Sequence, residues 1–166
     1  MILPPPVVIV EYDPNWPIQF ENIRSSVSSA LGDVALAIEH VGSTSVPGLA
    51  AKPVLDIDVV VKTKDDVLEG IELLASIGYT HAGDLGITGR EAFRAPDGAI
   101  QQHLYLVVSG SKPLKEHITL RNRLREDRDL VSQYAEIKYQ LAAEYGTNRE
   151  GYTDAKTGFI KRVLAG

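Results

Sequence analysis

The chain has 166 residues, 44% hydrophobic and 23% charged, which fits one soluble globular domain (residues 1–166) with its own core. It has no cysteine, which excludes disulfides, thiolate metal sites and thiol nucleophiles and accords with a reducing, cytoplasmic compartment. The formal net charge of −5 argues against a dedicated nucleic-acid binder, leaving Arg121 to Arg128 as the basic run to inspect.

The N-terminus, MILPPPVVIVEYDP, has no basic leader, and its apolar run is too short for a signal peptide or membrane span. Its prolines predict a stiff lead into a strand over Val7 to Glu11. A helix follows from about Pro17 to Leu31, with Phe20, Ile23, Val27, Ala30 and Leu31 at helical spacing. Trp16 reads as a packing anchor. Ala35 to Val41 is the next strand and leads into Gly42-Ser43-Thr44-Ser45. Val46 to Lys52 reads as a loop or short helix, and Val54 to Val61 as the clearest strand. Asp65 and Asp66 suit the first turn of a helix to about Ile77, stopped at Gly78. Glu91 to Ala95 and Ile100 to Val108 form a hairpin about Pro96-Asp97-Gly98. Helices over Pro113–Glu126, Asp129–Glu144 and Thr153–Leu164 complete the chain. Leu130, Val131, Tyr134, Ile137, Lys138, Leu141 and Tyr145 trace mostly one face of the second of them. This order predicts an α+β fold: a mixed β-sheet with helices packed on it and additional C-terminal helices.

The informative stretch is HVGSTSVPGLAAKPVLDIDVVV, His40 to Val61. Alternation along a strand points Asp56 and Asp58 to one face, roughly 6–7 Å apart. Two carboxylates amid Leu55, Ile57 and Val59 need compensation, and divalent cations of a phosphoryl-transfer site supply it. The bland alternative is an edge strand with a solvated acidic face. Gly42 allows close backbone approach, and Ser43 offers a hydroxyl and an N–H to a phosphate. Lys52 lies between the two halves, either neutralising phosphate or simply solvated. His40 either reaches the ligand or caps a strand end. Arg90 and Arg94 either hold phosphate as charged forks or lie on the surface.

Gly42-Ser43 followed by Asp56-x-Asp58 resembles the signature of the nucleotidyltransferase superfamily. That resemblance implies a glycine–serine turn holding a triphosphate and paired acids binding Mg2+ (or Mn2+). More closely, the chain is similar to the GrpB family. The similarity rests on Tyr12-Asp13-Pro14 with Trp16, His40 to Leu49 including Thr44, Lys52-Pro53 to Asp58, His103-Leu104-Tyr105, and Tyr152-Thr153-x-Ala155-Lys156-Thr157-x-Phe159-Ile160. In some organisms a related domain is fused to dephospho-coenzyme A kinase, which implies a nucleotide or coenzyme A context. The superfamily's third carboxylate is absent from Ile100 to Val108, whose alternate face carries Gln101, His103 and Tyr105. His103 is therefore expected to complete the catalytic set with Asp56 and Asp58. His40, Gly42, Ser43, Thr44, Lys52, Arg94, Tyr105, Tyr152 and Lys156 are expected to bind the nucleotide.

The expected activity is Mg2+-dependent transfer of a nucleotidyl group from a nucleoside triphosphate to an acceptor. The alternative is an inactive module that binds a nucleotide or a coenzyme A precursor. Asp56-Ile57-Asp58-Val59 also resembles the first motif of haloacid dehalogenase-like phosphatases, but Val59 to Val61 continue the strand where that family has a loop. His117-Ile118-Thr119 matches half of a two-histidine phosphodiesterase site whose second half is missing. There is no Walker-type or GxGxxG motif.

Overall fold

The computed structural model describes residues 5–166; Met1 to Pro4, with the leader reading and the first of the prolines, lie outside the described residues. Five strands, β1 (Ala37–Val41), β2 (Leu55–Val61), β3 (Thr80–Gly83), β4 (Arg90–Arg94) and β5 (Gln102–Val108), form one mixed sheet in the order β1-β2-β5-β4-β3. β2 runs parallel to β5 and antiparallel to β1, and β4 is antiparallel to both β5 and β3. Five helices surround it: α1 (Trp16–Leu31), α2 (Asp65–Ser76), α3 (Lys112–Glu126), α4 (Arg128–Tyr145) and α5 (Arg149–Ala165).

Strand alternation divides the sheet into two unlike faces. Leu55, Ile57, Val59 and Val61 of β2, Leu104 and Leu106 of β5 and Phe93 of β4 are buried on one face with Val27 and Leu31 of α1 and Leu74 of α2. Each such buried aliphatic side chain contributes roughly 1.5–3 kcal/mol. Gly70 lets α2 lie close, since a Cβ there would sit 2.9 Å from Leu106 Cδ2. The opposite face carries Asp56, Asp58, His103 and Tyr105. Register confirms the alignment: Asp56 pairs with His103 and Asp58 with Tyr105. Here α3 packs against β1 and β5, and a second apolar cluster joins Val46, Leu49, Leu124, Tyr134, Phe159 and Val163.

The α+β expectation holds, as do the Glu91–Val108 hairpin and the two long helices. Helix α5 starts earlier than its apolar pattern indicated, because the Asn148 side chain caps it by accepting from Gly151 N at 2.9 Å. Val7 to Glu11 is not a strand. It makes one isolated bridge, Val10 to Ala51, while Val7 N donates to Gly146 O. Strand β3 was not anticipated; its residues are mostly exposed and its sequence, Thr-His-Ala-Gly, has little strand character. Among the described residues no helix is long and apolar enough to cross a membrane.

Candidate functional site

The site begins where β1 ends. Gly42 has φ +71° and ψ −174°, backbone that only glycine adopts freely, and a Cβ there would fall 2.2 Å from Asp56 Oδ2. The glycine therefore serves two ends: it turns the chain and admits the Asp56 carboxylate against the backbone. Ser43 to Ser45 form a single tight turn, closed by Ser45 N to Gly42 O at 3.2 Å and Val46 N to Ser43 O at 3.1 Å. Helix α3 braces both flanks. Arg121 Nη1 donates to His40 O at 3.1 Å and to Glu39 Oε2 at 2.7 Å, and Arg125 Nε donates to Ser45 O at 2.9 Å. Arg123 likewise bonds the carbonyls of Val163 and Leu164, so three of the four arginines of the basic run, all but the exposed Arg128, are engaged in internal contacts.

From α4, Lys138 reaches the turn. It is 2% exposed, donates from Nζ to Ser43 Oγ and to Ala50 O (3.2 Å), and lies 4.3 Å from the centre of the Tyr134 ring. Burial, and then the charge of Lys156, hold its ammonium well below the usual lysine range.

Both carboxylates sit on the β2 face that the sequence indicated, in different surroundings. Asp56 lines the open side, with Oδ1 3.1 Å from His103 Nδ1. Asp58 is wholly buried, with Oδ2 2.6 Å from His117 Nδ1 of α3 and Oδ1 without any hydrogen-bond partner. Burial raises the Asp58 pKa against the opposing pull of His117. Burial lowers that of His117, but the hydrogen bond and charge of Asp58 outweigh it and leave the imidazole above its ordinary value. A buried carboxylate oxygen without a partner among the described residues, two positions along the strand from a second carboxylate that lines a cavity, is a hard-oxygen donor set that fits Mg2+ or Mn2+. Protein ligands are few: no group of three His, Asp or Glu converges among the described residues. Such a cation would complete its shell from phosphate oxygens and water.

A cavity of 360 Å³ opens between this face and α3, α4 and α5. Its walls bring together Gly42, Ser43, Thr44, Lys52, Asp56, His103, Tyr105, Tyr152 and Lys156 from the expected set. Four cations, Lys52, Arg90, Lys138 and Lys156, line it against the carboxylate of Asp56. Arg90 lies 4.3 Å over the Tyr105 ring, with its buried Nε unpaired. Burial, then the charge of Lys52, lower the Lys156 pKa to about 8. Crowded, partly desolvated ammonium groups of this kind favour an anionic ligand.

Three expected site residues do not line the cavity: Asp58, which is wholly buried, His40 and Arg94. His40 pairs with Ile57 and so projects to the apolar face, where it stacks on Phe20 of α1 (4.8 Å) and bonds Thr44 Oγ1 at 2.9 Å. Burial lowers its pKa to about 4, and it props the turn from behind as a neutral imidazole. Arg94 is exposed at the end of β4, opposite Thr80, and Arg90 lines the cavity instead. Sequence reasoning missed Lys138, His117 and Tyr134. The available signal was a lysine inside the apolar stripe of α4, where a cation needs a reason to be. His117 was visible only as a fragment of another motif.

The family model for GrpB protein matches residues 6–165. The crystal structure of GrpB from Enterococcus faecalis is 29% identical, covers 95% of this chain and 99% of its own, and superposes with a TM-score of 0.77. A dephospho-CoA kinase of Mycolicibacterium paratuberculosis is 42% identical over 94% of this chain, which spans 44% of that protein. Cid1 poly(U) polymerase with MgGTP bound shares the fold over 80% of this chain and 44% of its own, with a TM-score of 0.58 at 14% identity. With a family model covering it almost end to end, the chain belongs to the GrpB family.

Proposed function

We propose that the chain binds a nucleoside triphosphate with Mg2+ or Mn2+ and transfers its nucleotidyl group to a hydroxyl-bearing acceptor. One observation carries this reading: the Gly42 turn and Asp56 are built against each other so closely that a methyl group would not fit between them. A phosphate-holding turn and a cation-holding carboxylate thus share one cavity walled with lysines. Ser43, its backbone N–H and Lys138 would cradle the outer phosphates, with Arg90 offsetting their charge. Asp56 and Asp58 would hold the cation, His103 steadying Asp56 and His117 steadying Asp58. A cation bound there offsets charge at the reacting phosphoryl group, worth several kcal/mol of barrier. The acceptor oxygen would attack the α-phosphorus as pyrophosphate leaves.

A second reading, binding without turnover, draws support from Asp58 and β5. Asp58 is sealed against His117, and β5 carries no acid in place of the superfamily's third carboxylate, with Tyr105 standing beside Asp58. Release of pyrophosphate decides between them. With a nucleotide panel and small hydroxyl acceptors, transfer predicts Mg2+-dependent pyrophosphate that Asp58→Ala reduces at least a hundredfold. Full turnover by Asp58→Ala would sink the mechanism; Mg2+-dependent binding without pyrophosphate would leave the binding module.

A further inference from the structure

The side of the cavity formed by α5 and the lead into β2 holds groups that the turn and the carboxylates do not use. Tyr152 is 1% exposed, its ring walls the cavity, and its buried hydroxyl has no hydrogen-bond partner. A buried hydroxyl left this way is destabilising until a ligand completes it. Lys52 Nζ lies 5.4 Å and Lys156 Nζ 5.2 Å from the centre of that same ring. Among the described residues neither ammonium is hydrogen-bonded to a side chain, and the carboxylate whose charge acts on both is Asp56. Lys138, by contrast, already bonds Ser43 and Ala50 and belongs to the turn.

Charge balance separates the two places. A triphosphate with its cation carries about two net negative charges, which Lys138 and Arg90 match. Lys52 and Lys156 then remain with only Asp56 to oppose them. Two ammonium groups beside a tyrosine ring whose hydroxyl is unpartnered supply donors suited to the terminal oxygens of a phosphate monoester.

We propose that Lys52, Tyr152 and Lys156 form a second anion site in the cavity, which holds a phosphate group of the acceptor while the turn holds the donor's phosphates. The acceptor assignment rests on the nucleotidyl-transfer reading; the anion site itself does not.

Orthophosphate is the probe, titrated calorimetrically into wild type, Tyr152→Phe and Lys156→Gln. Each titration is repeated on protein saturated with Mg2+ and α,β-methylene-ATP, which cannot transfer its nucleotidyl group. The expected result is orthophosphate binding to both free and analogue-loaded wild type, weakened at least tenfold by each substitution. Tyr152→Phe should meanwhile keep or raise Tm, since it removes an unpaired hydroxyl; a residue that only packs would leave phosphate affinity alone. No orthophosphate binding by wild type, or equal binding by the variants, overturns the anion site. Loss of orthophosphate binding on loading the analogue overturns the acceptor assignment, because the donor's own tail then occupies the site. If the analogue fails to bind while orthophosphate binds and responds to both substitutions, the triphosphate reading falls and the anion site stands.

Discussion

Replacing Gly42 with alanine tests the joint between turn and carboxylate. Two costs combine at this position. At φ +71° and ψ −174° a residue with a Cβ carries about 1–3 kcal/mol of backbone strain. The new methyl would also lie 2.2 Å from Asp56 Oδ2 and 2.9 Å from its Cβ and Cγ, so Asp56 must move and surrender its bond to His103. Forcing a methyl into packed surroundings adds roughly 1–3 kcal/mol. The expected destabilisation is therefore about 2–6 kcal/mol. Gly32 supplies the control: its φ is also positive, at +54°, but nothing lies within 4 Å of its Cβ position. Gly32→Ala should show the strain alone, about 1–3 kcal/mol. Urea unfolding measures both, as a midpoint shift at constant slope. If Gly42→Ala costs no more than Gly32→Ala, turn and carboxylate are not locked together and the two-sided site loses its basis.

Three further outcomes are expected. His40, lowered to about 4 by burial, stays neutral in the folded chain while the unfolded chain protonates near 6.5. Stability is then lost as pH falls from 6.5 towards 4, by up to roughly 3 kcal/mol, and His40→Gln should flatten the slope of unfolding free energy against pH across that window. Lys156 is neutral above about 8 when folded but charged to near 10.5 when unfolded, so ligand-free stability should rise between about pH 8 and 10. Anion affinity should fall over the same range, and a calorimetric series in pH that showed it constant would remove Lys156 from the site. Lys138→Met relieves a buried cation, so thermal melts should show Tm unchanged or raised while nucleotide affinity drops at least tenfold. A large loss of Tm would make Lys138 a structural prop instead.

The strand Val54 to Val61 was legible because a long run of β-branched residues leaves little alternative, and the turn before it because glycine and serine are chemically distinctive there. The pleat then fixed which acids share a face without any structure. The strand expected at Val7 does not form and the strand at Thr80 was not anticipated, for opposite reasons. Val7 to Glu11 has the composition of a strand but only Ala51 to pair with, whereas Thr80 to Gly83 lacks the composition and pairs with β4. Arg94 and Arg90 share a face, and only the register shows that one lies opposite Thr80 and the other opposite Val107. His40 was misplaced by the same kind of uncertainty, since an odd or even position at a strand end decides the face. His117 and Lys138 come from helices 59 and 95 residues away from their partners Asp58 and Ser43, and nothing local encodes that meeting.

The central claim is that Asp56 and the Gly42-Ser43 turn hold a nucleotide together with a cation. Thermal-shift measurements with nucleoside triphosphates and coenzyme A precursors, with and without Mg2+, on wild type and Asp56→Ala, address it most directly. Stabilisation by a triphosphate that requires Mg2+ and vanishes in Asp56→Ala is the predicted result. Stabilisation that persists without Mg2+ or in Asp56→Ala, or none from any nucleotide, would contradict it.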